Sequence, residues 1–158
     1  MEQQVLSNQM PIAIKDSKID ITSEKLTKEL AKEFTKYLKG GEFVFLYGEM
    51  GVGKTTFVKY FINEYEKINN LTQSEITSPT FSLLNEYQLK DIRIKHYDLF
   101  RINRKEDIKN LDIFEKDKKL ITLIEWPQLL TDIEDIKSIN LTFNYLNDLN
   151  NRSVDIKV

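Results

Sequence analysis

Residues 47–57, YGEMGVGKTTF, decide the fold, because three glycines lie within six positions and one lysine and two threonines follow them directly. An apolar run precedes the glycines, and apolar residues at helical spacing follow them. Glycines let the backbone turn successive N–H groups inward, and the N-terminus of a following helix adds positive potential. The stretch therefore predicts a loop between a buried strand and a helix that binds phosphate groups.

Four residues of this loop, Gly48, Gly53, Lys54 and Thr55, satisfy the nucleotide-binding pattern G-x-x-x-x-G-K-S/T. In this pattern Lys54 reaches the β- and γ-phosphates, and the hydroxyl of Thr55 takes one position on an octahedral Mg²⁺ ion. Chance alone would produce the pattern in roughly 0.5% of chains of this length at average glycine usage. All five glycines of the chain lie between residues 40 and 53, which favours a P-loop over a chance turn.

The rest of the chain alternates between predicted strands and helices. Two apolar runs, at 43–47 and 120–126, are typical of strands buried on both faces of a parallel sheet. Helical spacing predicts one helix from Ser23 to the glycines at 40 and 41, and a second helix after the loop. Further strands are predicted at 12–21 (one strand or two), 80–89, 92–100, 138–146 and 153–158, and a charged helix near 104–116.

This order of elements predicts the fold class α/β, as a P-loop NTPase with a mostly parallel central sheet flanked by helices. Antiparallel strands are expected at the edge of the sheet and at the C-terminus. The chain of 158 residues is long enough for one sizeable core and contains no internal repeat or linker. We therefore expect residues 1–158 to form a single P-loop ATPase domain, with residues 1–10 flexible.

Composition limits the classes of function. The net charge of -2 argues against a protein that mainly coats nucleic acid, and the lack of cysteine excludes disulfides and thiolate zinc sites. The N-terminal MEQQVLSNQMPI has neither the basic start nor the apolar core of a secretory signal, and no apolar run approaches the roughly 20 residues of a membrane span. We expect a cytoplasmic protein without membrane contact.

Two carboxylates stand at the ends of predicted strands. Glu125 ends the apolar run LITLI, where the Walker B acid of a P-loop protein belongs, although aspartate is commoner there. Asp98 ends the more polar run IKHYD. A P-loop hydrolase needs such acids to hold hydrated Mg²⁺ and to orient a water molecule. Lys54, Asp98 and Glu125 are therefore the predicted catalytic residues.

Three further features have two interpretations each. The segment 78–81, SPTF, either senses the γ-phosphate or simply caps the entry to a strand. Trp126 either neighbours the active site or packs at a strand end. His96, the only histidine, lies in the middle of a predicted strand, where a packed or hydrogen-bonded role is favoured over catalysis.

Four segments, LYGEMGVGKTTFVKYF, SPTFSLLNEY, HYDLFRI and LIEWP, occur in this order and spacing. In that combination, over residues 23–152, the chain resembles the bacterial tRNA threonylcarbamoyladenosine biosynthesis protein family TsaE. The resemblance implies a small P-loop ATPase that binds ATP and Mg²⁺ and hydrolyses ATP. It also implies action with the partners TsaB and TsaD, and with tRNA indirectly, in adding threonylcarbamoyl to adenosine 37 of tRNAs that read ANN codons.

The resemblance also implies the site residues. Thr55 and Glu125 would hold Mg²⁺, and Asp98 would be a further acid needed for hydrolysis. Ser23 and Glu24 would flank the nucleotide base, and Arg152 would lie near the nucleotide. The implied phosphate-binding residues are Met50, Gly51, Val52, Gly53, Lys54, Thr55 and Thr56.

The main alternative is a small-molecule P-loop kinase. Such kinases close an arginine-bearing lid over the transferred phosphate, and the arginines of this chain, Arg93, Arg101, Arg104 and Arg152, form no lid-like cluster. A GTPase-like switch would need a guanine-reading Asn-Lys-x-Asp segment, which the sequence lacks. Of the arginines, Arg101, just after Asp98, is predicted to approach the phosphates, and a slow intrinsic ATPase is expected.

Overall fold

The computed structural model describes residues 16–131 and 136–158, and they build one seven-stranded mixed sheet. None of the helices in these two ranges is long and apolar enough to cross a membrane. The strands are β1 Ser17–Asp20, β2 Phe43–Tyr47, β3 Leu84–Leu89, β4 Ile92–Asp98, β5 Leu120–Glu125, β6 Ser138–Leu146 and β7 Asp148–Lys157. The helices are α1 Glu24–Tyr37, α2 Lys54–Ile68 and the short α3 Lys105–Ile108, with 3₁₀ turns at Lys109–Leu111 and Pro127–Leu129.

The centre of the sheet is parallel and its outer strands are antiparallel, which confirms the predicted fold class. The strand order is β1-β7-β6-β2-β5-β4-β3. Strand β2 pairs in parallel with β5 and β6, and β4 pairs in parallel with β5, whereas β1, β3 and β7 pair antiparallel with their neighbours. Because the carboxyl ends of β2, β4 and β5 meet at one edge, the residues that follow them converge there.

Alternation along β2 divides the core into two clusters, one on each face of the sheet. Val44 and Leu46 pack into the larger cluster with α1 and α2, whereas Phe43 and Phe45 pack into the smaller cluster on the opposite face. The larger cluster contains stacked and edge-on aromatic rings of Phe34, Phe57, Phe61, Tyr65 and Phe143. Helices therefore cover one face, and short turns between residues 99 and 130 cover the other.

The prediction of a charged helix near 104–116 is wrong, because the helix that forms is much shorter. Only one α-helical turn, Lys105–Ile108, and one 3₁₀ turn form, and the chain then turns at Asp112 with φ 50°. The hydroxyl of Tyr97 donates a hydrogen bond of 2.8 Å to the Leu111 carbonyl, which fastens this turn to the sheet. Packing of buried Ile108 and Ile113 against the second face overrides the helical charge pattern.

Other boundaries differ by a few residues. The strand predicted at 80–89 begins only at Leu84, because residues 79–83 form a turn in which the Leu83 N–H donates to the Pro79 carbonyl over 2.7 Å. The final strand begins at Asp148 rather than 153, after a bulge at Tyr145/Leu146. Of the stretch predicted as one strand or two at 12–21, Ser17–Asp20 is formed, and residues 12–15 lie outside the described ranges, as does the N-terminal segment 1–10.

Candidate nucleotide-binding site

The glycine loop lies between β2 and α2, as the sequence predicts. Gly48 has φ 142°, and a Cβ atom there would lie only 2.8 Å from the Phe143 carbonyl oxygen, so a side chain cannot be accommodated. Gly53, with φ 122°, is the N-cap of α2, which begins at Lys54. The loop therefore ends at the positive end of a helix of 15 residues, a geometry that favours bound phosphate.

The ammonium group of Lys54 lies at the inner end of the cleft. Its Nζ donates hydrogen bonds to the carbonyls of Gly48 and, over 3.2 Å, Glu49, and it lies 4.0 Å from the centre of the Trp126 ring. Burial lowers the pKa of Lys54, while the negative charges of Glu125 and Asp98 act in the opposite direction. The cation is thus held in place by weak acceptors that phosphate oxygens can replace.

Trp126 belongs to the site, which decides between its two interpretations. Its backbone adopts the left-handed region at φ 58°, which is rare for a bulky residue. This turn directly after β5 brings the indole over Lys54 and within 4.9 Å of the Phe100 ring, measured between ring centroids. The two aromatic side chains form part of the cleft wall.

Thr55 and Glu125 are in direct contact. The Thr55 hydroxyl lies 2.9 Å from Oε1 and 3.2 Å from Oε2 of the Glu125 carboxylate, so both oxygens are within its hydrogen-bonding range. Glu125 is only 2% exposed, and its Oε2 is 2.7 Å from Nε2 of His96. Because a carboxylate only accepts, Nε2 of His96 carries the proton and donates.

Asp98 stands beside Glu125 in the parallel β4–β5 register. Its Oδ2 accepts hydrogen bonds from the hydroxyls of Ser78 over 2.5 Å and Thr80 over 3.1 Å, and its Oδ1 accepts from the Phe100 N–H over 2.9 Å. The SPTF segment is therefore fastened to an acid of the site rather than being only a strand entry. Asp98 itself is 3% exposed.

Ser23 and Glu24, predicted to flank the nucleotide base, and Arg152, predicted to lie near the nucleotide, are found around the start of α1. The Ser23 hydroxyl caps α1 by accepting from the Leu26 N–H over 3.2 Å, and the Glu24 carboxylate accepts from the Tyr60 hydroxyl over 2.8 Å. Arg152 reaches the loop, since its Nη1 donates to the Val52 carbonyl over 3.5 Å. Arg152 is therefore against the loop backbone, whereas Ser23 and Glu24 have structural partners.

A cleft of about 190 Å³ joins the loop to the two acids. Most of the predicted site residues line it, but Ser23, Glu24, Val52 and Arg152 are not among its lining residues, and the Val52 side chain is buried in the larger core cluster. The lining residues are Met50, Gly51, Gly53, Lys54, Thr55, Thr56, Ser78, Thr80, Asp98, Phe100, Glu125 and Trp126.

Sequence reasoning missed two features of the site. His96 contacts Glu125, and its position two residues before Asp98, on the same face of β4, was the available signal. Arg101, expected to approach the phosphates, instead places its guanidinium 4.3 Å from the centre of the exposed Phe81 ring. It is not among the residues that line the cleft.

The donors at the cleft fit Mg²⁺. The Thr55 hydroxyl and the Glu125 carboxylate supply hard oxygen atoms next to the phosphate loop. Within residues 16–131 and 136–158, no group of three or more His, Cys, Asp or Glu side chains is arranged to hold a metal ion. Mg²⁺ needs no such cage, since it is commonly bound through one or two carboxylates together with waters and substrate phosphates.

Comparison with known proteins decides the family. The family model "Threonylcarbamoyl adenosine biosynthesis protein TsaE" matches residues 21–154. The chain belongs to the TsaE family. Among TsaE relatives, the tRNA threonylcarbamoyladenosine biosynthesis protein TsaE of Rickettsia bellii is 35% identical over 137 residues, covering 84% of this chain and 90% of the relative.

Other TsaE proteins agree with this membership. The TsaE of Rickettsia typhi is 36% identical over 137 residues, covering 87% of this chain and 92% of its own. The TsaE of Bacillus subtilis is 30% identical over 106 residues, covering 67% of this chain and 63% of the relative. The crystal structure of Bacillus subtilis YdiB matches with a TM-score of 0.68 at 23% identity, over 90% of this chain and 84% of the other, which supports the P-loop fold.

Proposed function

We propose that this member of the TsaE family is a Mg²⁺-dependent ATP hydrolase required for threonylcarbamoylation of adenosine 37 in tRNAs that read ANN codons. It works with TsaB and TsaD and meets tRNA only through them, and it does not transfer the group itself. The observation that carries the proposal is the contact of 2.9 Å between Thr55 and Glu125 beside the glycine loop. A P-loop threonine and a strand-end acid are the pair that serves the nucleotide-bound metal in P-loop hydrolases.

Binding begins with the loop and Lys54. The loop N–H groups donate hydrogen bonds to the ATP phosphates, and the positive N-terminus of α2 stabilises their negative charge. Lys54 exchanges its contacts with the Gly48 and Glu49 carbonyls for contacts with phosphate oxygens. Thr55 and Glu125 would hold Mg²⁺, which supplies electrostatic stabilisation of the charge on the transferred phosphoryl group. The rings of Trp126 and Phe100 contact each other and line the cleft beside Lys54.

Hydrolysis needs a water molecule held in line with the γ-phosphate, and Asp98 is the group for that role. It lies in the cleft beside Glu125 and already accepts hydrogen bonds from Ser78 and Thr80. A carboxylate with several acceptor positions can orient a water while the two hydroxyls fix its direction. The SPTF segment then couples the presence of the γ-phosphate to the position of the acid.

The arrangement of arginines favours hydrolysis over the kinase alternative. Arg93 pairs with Glu115 at 2.8 Å and Asp117 at 3.1 Å, and Arg104 pairs with Asp107 at 3.2 Å. None of these residues lines the cleft, so a phosphotransferase lid has no counterpart among the described residues. We further propose that the protein is a cytoplasmic, single-domain ATPase of low intrinsic rate, which its partners stimulate.

The test is a multiple-turnover tRNA modification assay with TsaB, TsaD, ATP and threonylcarbamoyl-adenylate, alongside ATP hydrolysis without an acceptor. We expect slow hydrolysis by the isolated protein, faster hydrolysis with both partners, and modification that stops when the protein is omitted. Full turnover in its absence would refute the role in tRNA modification. Phosphorylation of a small-molecule acceptor at a rate above hydrolysis would favour the kinase.

A further inference from the structure

We propose that His96 is a positioning residue that orients the Glu125 carboxylate toward Thr55 and the bound metal ion. The inference rests on the proposed function, because it assigns a role within the same nucleotide site. His96 touches neither the nucleotide cleft nor Thr55; it acts only through Glu125. A side chain of this kind fixes the direction of a metal-binding carboxylate from behind.

The geometry of the carboxylate carries the inference. Its Oε2 accepts from His96 Nε2 over 2.7 Å and also lies 3.2 Å from the Thr55 hydroxyl, whereas Oε1 lies 2.9 Å from that hydroxyl and makes no hydrogen bond with His96. His96 is fully buried, and it is fixed in the middle of β4 by pairing with β3 on one side and β5 on the other. The fixed ring therefore holds Oε2 and keeps the carboxylate turned so that both of its oxygens lie beside the Thr55 hydroxyl.

The second ring nitrogen shows that His96 is not simply a stabilising core residue. Nδ1 is buried and has no hydrogen-bonding partner among the described residues. An unpaired buried polar atom is a cost to folding, and an apolar side chain of similar size would avoid it. Within residues 16–131 and 136–158, the ring's one polar interaction is with Glu125, so this interaction is what the histidine supplies.

A competing partner explains why the carboxylate needs to be held. Lys54 and Glu125 both line the cleft, yet the Lys54 ammonium contacts the Gly48 and Glu49 carbonyls and the Trp126 ring. A carboxylate released from His96 is free to turn toward this cation. Such a pair would occupy both the acid needed for the metal and the cation needed for the phosphates.

The experiment compares two amides at position 96. In His96→Gln the amide nitrogen extends to about the place of Nε2 and can still donate to Glu125, whereas in His96→Asn it reaches only to about Nδ1. A matched control is Thr122→Val, which alters another buried polar side chain of the sheet, one whose hydroxyl also has no partner in the described part of the chain. Each purified variant is titrated with ADP by calorimetry in EDTA and in excess Mg²⁺, and its Mg²⁺ dependence of ATP hydrolysis is measured.

We expect all variants to bind ADP alike in EDTA. In His96→Asn the gain in affinity from Mg²⁺ and the apparent affinity of hydrolysis for Mg²⁺ should fall by about 10- to 100-fold, the range found when groups behind a metal ligand are removed. His96→Gln should recover most of this loss, and Thr122→Val should resemble the parent. Equal Mg²⁺ dependence in the Gln and Asn variants, or in the Asn variant and the parent, would overturn the inference.

The calorimetric measurement of ADP binding distinguishes a failure of this inference from a failure of the proposed function. A parent protein that binds Mg²⁺–ADP but fails to hydrolyse ATP would refute the proposed hydrolase, while the Gln and Asn variants would still test His96 by calorimetry. Thermal melting of each variant is recorded as well. A fall in ADP affinity in EDTA for His96→Asn, matching the fall in Mg²⁺, would indicate general damage to the loop and would also overturn the positioning role.

Discussion

The two sides of the nucleotide cleft are built differently. On the loop side, Lys54, Glu125 and His96 are all almost completely buried, and their carrier elements α2, β4 and β5 belong to the core. On the opposite side, the SPTF segment lies in a turn outside the strands, and Phe81 at its end is 81% exposed. Ser78 and Thr80 are joined to the buried side through hydrogen bonds to Asp98.

This difference indicates how the work of the site is divided. Groups fixed by core packing keep their geometry before ligands arrive, which is what phosphate and metal binding require. A turn attached by a few hydrogen bonds can open locally at a lower free-energy cost than the sheet. The loop side is therefore suited to binding, and the SPTF side to responding to what is bound.

The largest expected effect is on the loop side. Lys54→Ala should remove ATP binding while leaving the fold intact, because the loop loses the one side-chain cation that the pattern places at the phosphates. Hydrogen bonds to a charged group are each worth about 1.5–3 kcal/mol, so the loss of two reduces affinity by about 3 kcal/mol or more. Titration calorimetry with ATP measures this, with Lys59→Ala, on the same helix, as the control. An ATP affinity of Lys54→Ala equal to that of the parent would refute the assignment of the loop as a P-loop.

The next effect separates binding from hydrolysis. Asp98→Ala should bind ATP and the partners with near-parent affinity but lose about 10²- to 10⁴-fold in hydrolysis, the usual contribution of a positioned acid or base. In a multiple-turnover assay with TsaB and TsaD, modification should stop after at most one round. Asp91→Ala, which changes an acid in the turn between β3 and β4, is the control. Full turnover by Asp98→Ala would remove this residue from the mechanism.

Glu125→Ala should weaken the binding of Mg²⁺ rather than the binding of the nucleotide. The phosphates are still held by backbone groups and Lys54, so ADP affinity in EDTA should stay close to the parent value. We expect hydrolysis to fall by at least the roughly 10- to 100-fold that follows loss of a group behind a metal ligand. Hydrolysis measured across a range of Mg²⁺ concentrations tests this. If the variant hydrolysed ATP at the parent rate when Mg²⁺ is limiting, Glu125 would have no role beyond ending the strand.

Much of the loop side could be predicted from the sequence. The glycine pattern fixes the loop, and the apolar run 120–126 identifies a neighbouring parallel strand whose terminal acid must approach Thr55. The contact between His96 and Glu125 was not accessible in this way. Alternation gives the face of β4 on which a side chain lies, but not which buried partner its nitrogen reaches.

The other side of the cleft was harder to predict, for a related reason. The sequence predicts the start of a strand at residues 80–83, yet the hydrogen bond from the Leu83 N–H to the Pro79 carbonyl closes a turn instead. The charge run near 104–116 has helical spacing, but burial of Ile108 and Ile113 on the sheet stops the helix after one turn. Where few local contacts fix the backbone, tertiary packing decides its path, and the sequence pattern carries less information.

The smallest expected effect lies at the exposed end of the SPTF segment. Phe81→Ala removes a ring that contacts the Arg101 guanidinium 4.3 Å away and is otherwise largely in solvent. A cation–π contact at an exposed site is worth about 0.5–1 kcal/mol, so the free energy of unfolding should fall by no more than that. The matched control, Phe57→Ala, removes a fully buried ring of the larger core cluster and should cost about 3–5 kcal/mol. Urea denaturation of both variants measures the difference, and ADP affinity in Mg²⁺ should be unchanged in Phe81→Ala. If the two variants lost similar stability, the SPTF side would be as firmly packed as the loop side, and the division of the cleft into a fixed and a responsive half would fail.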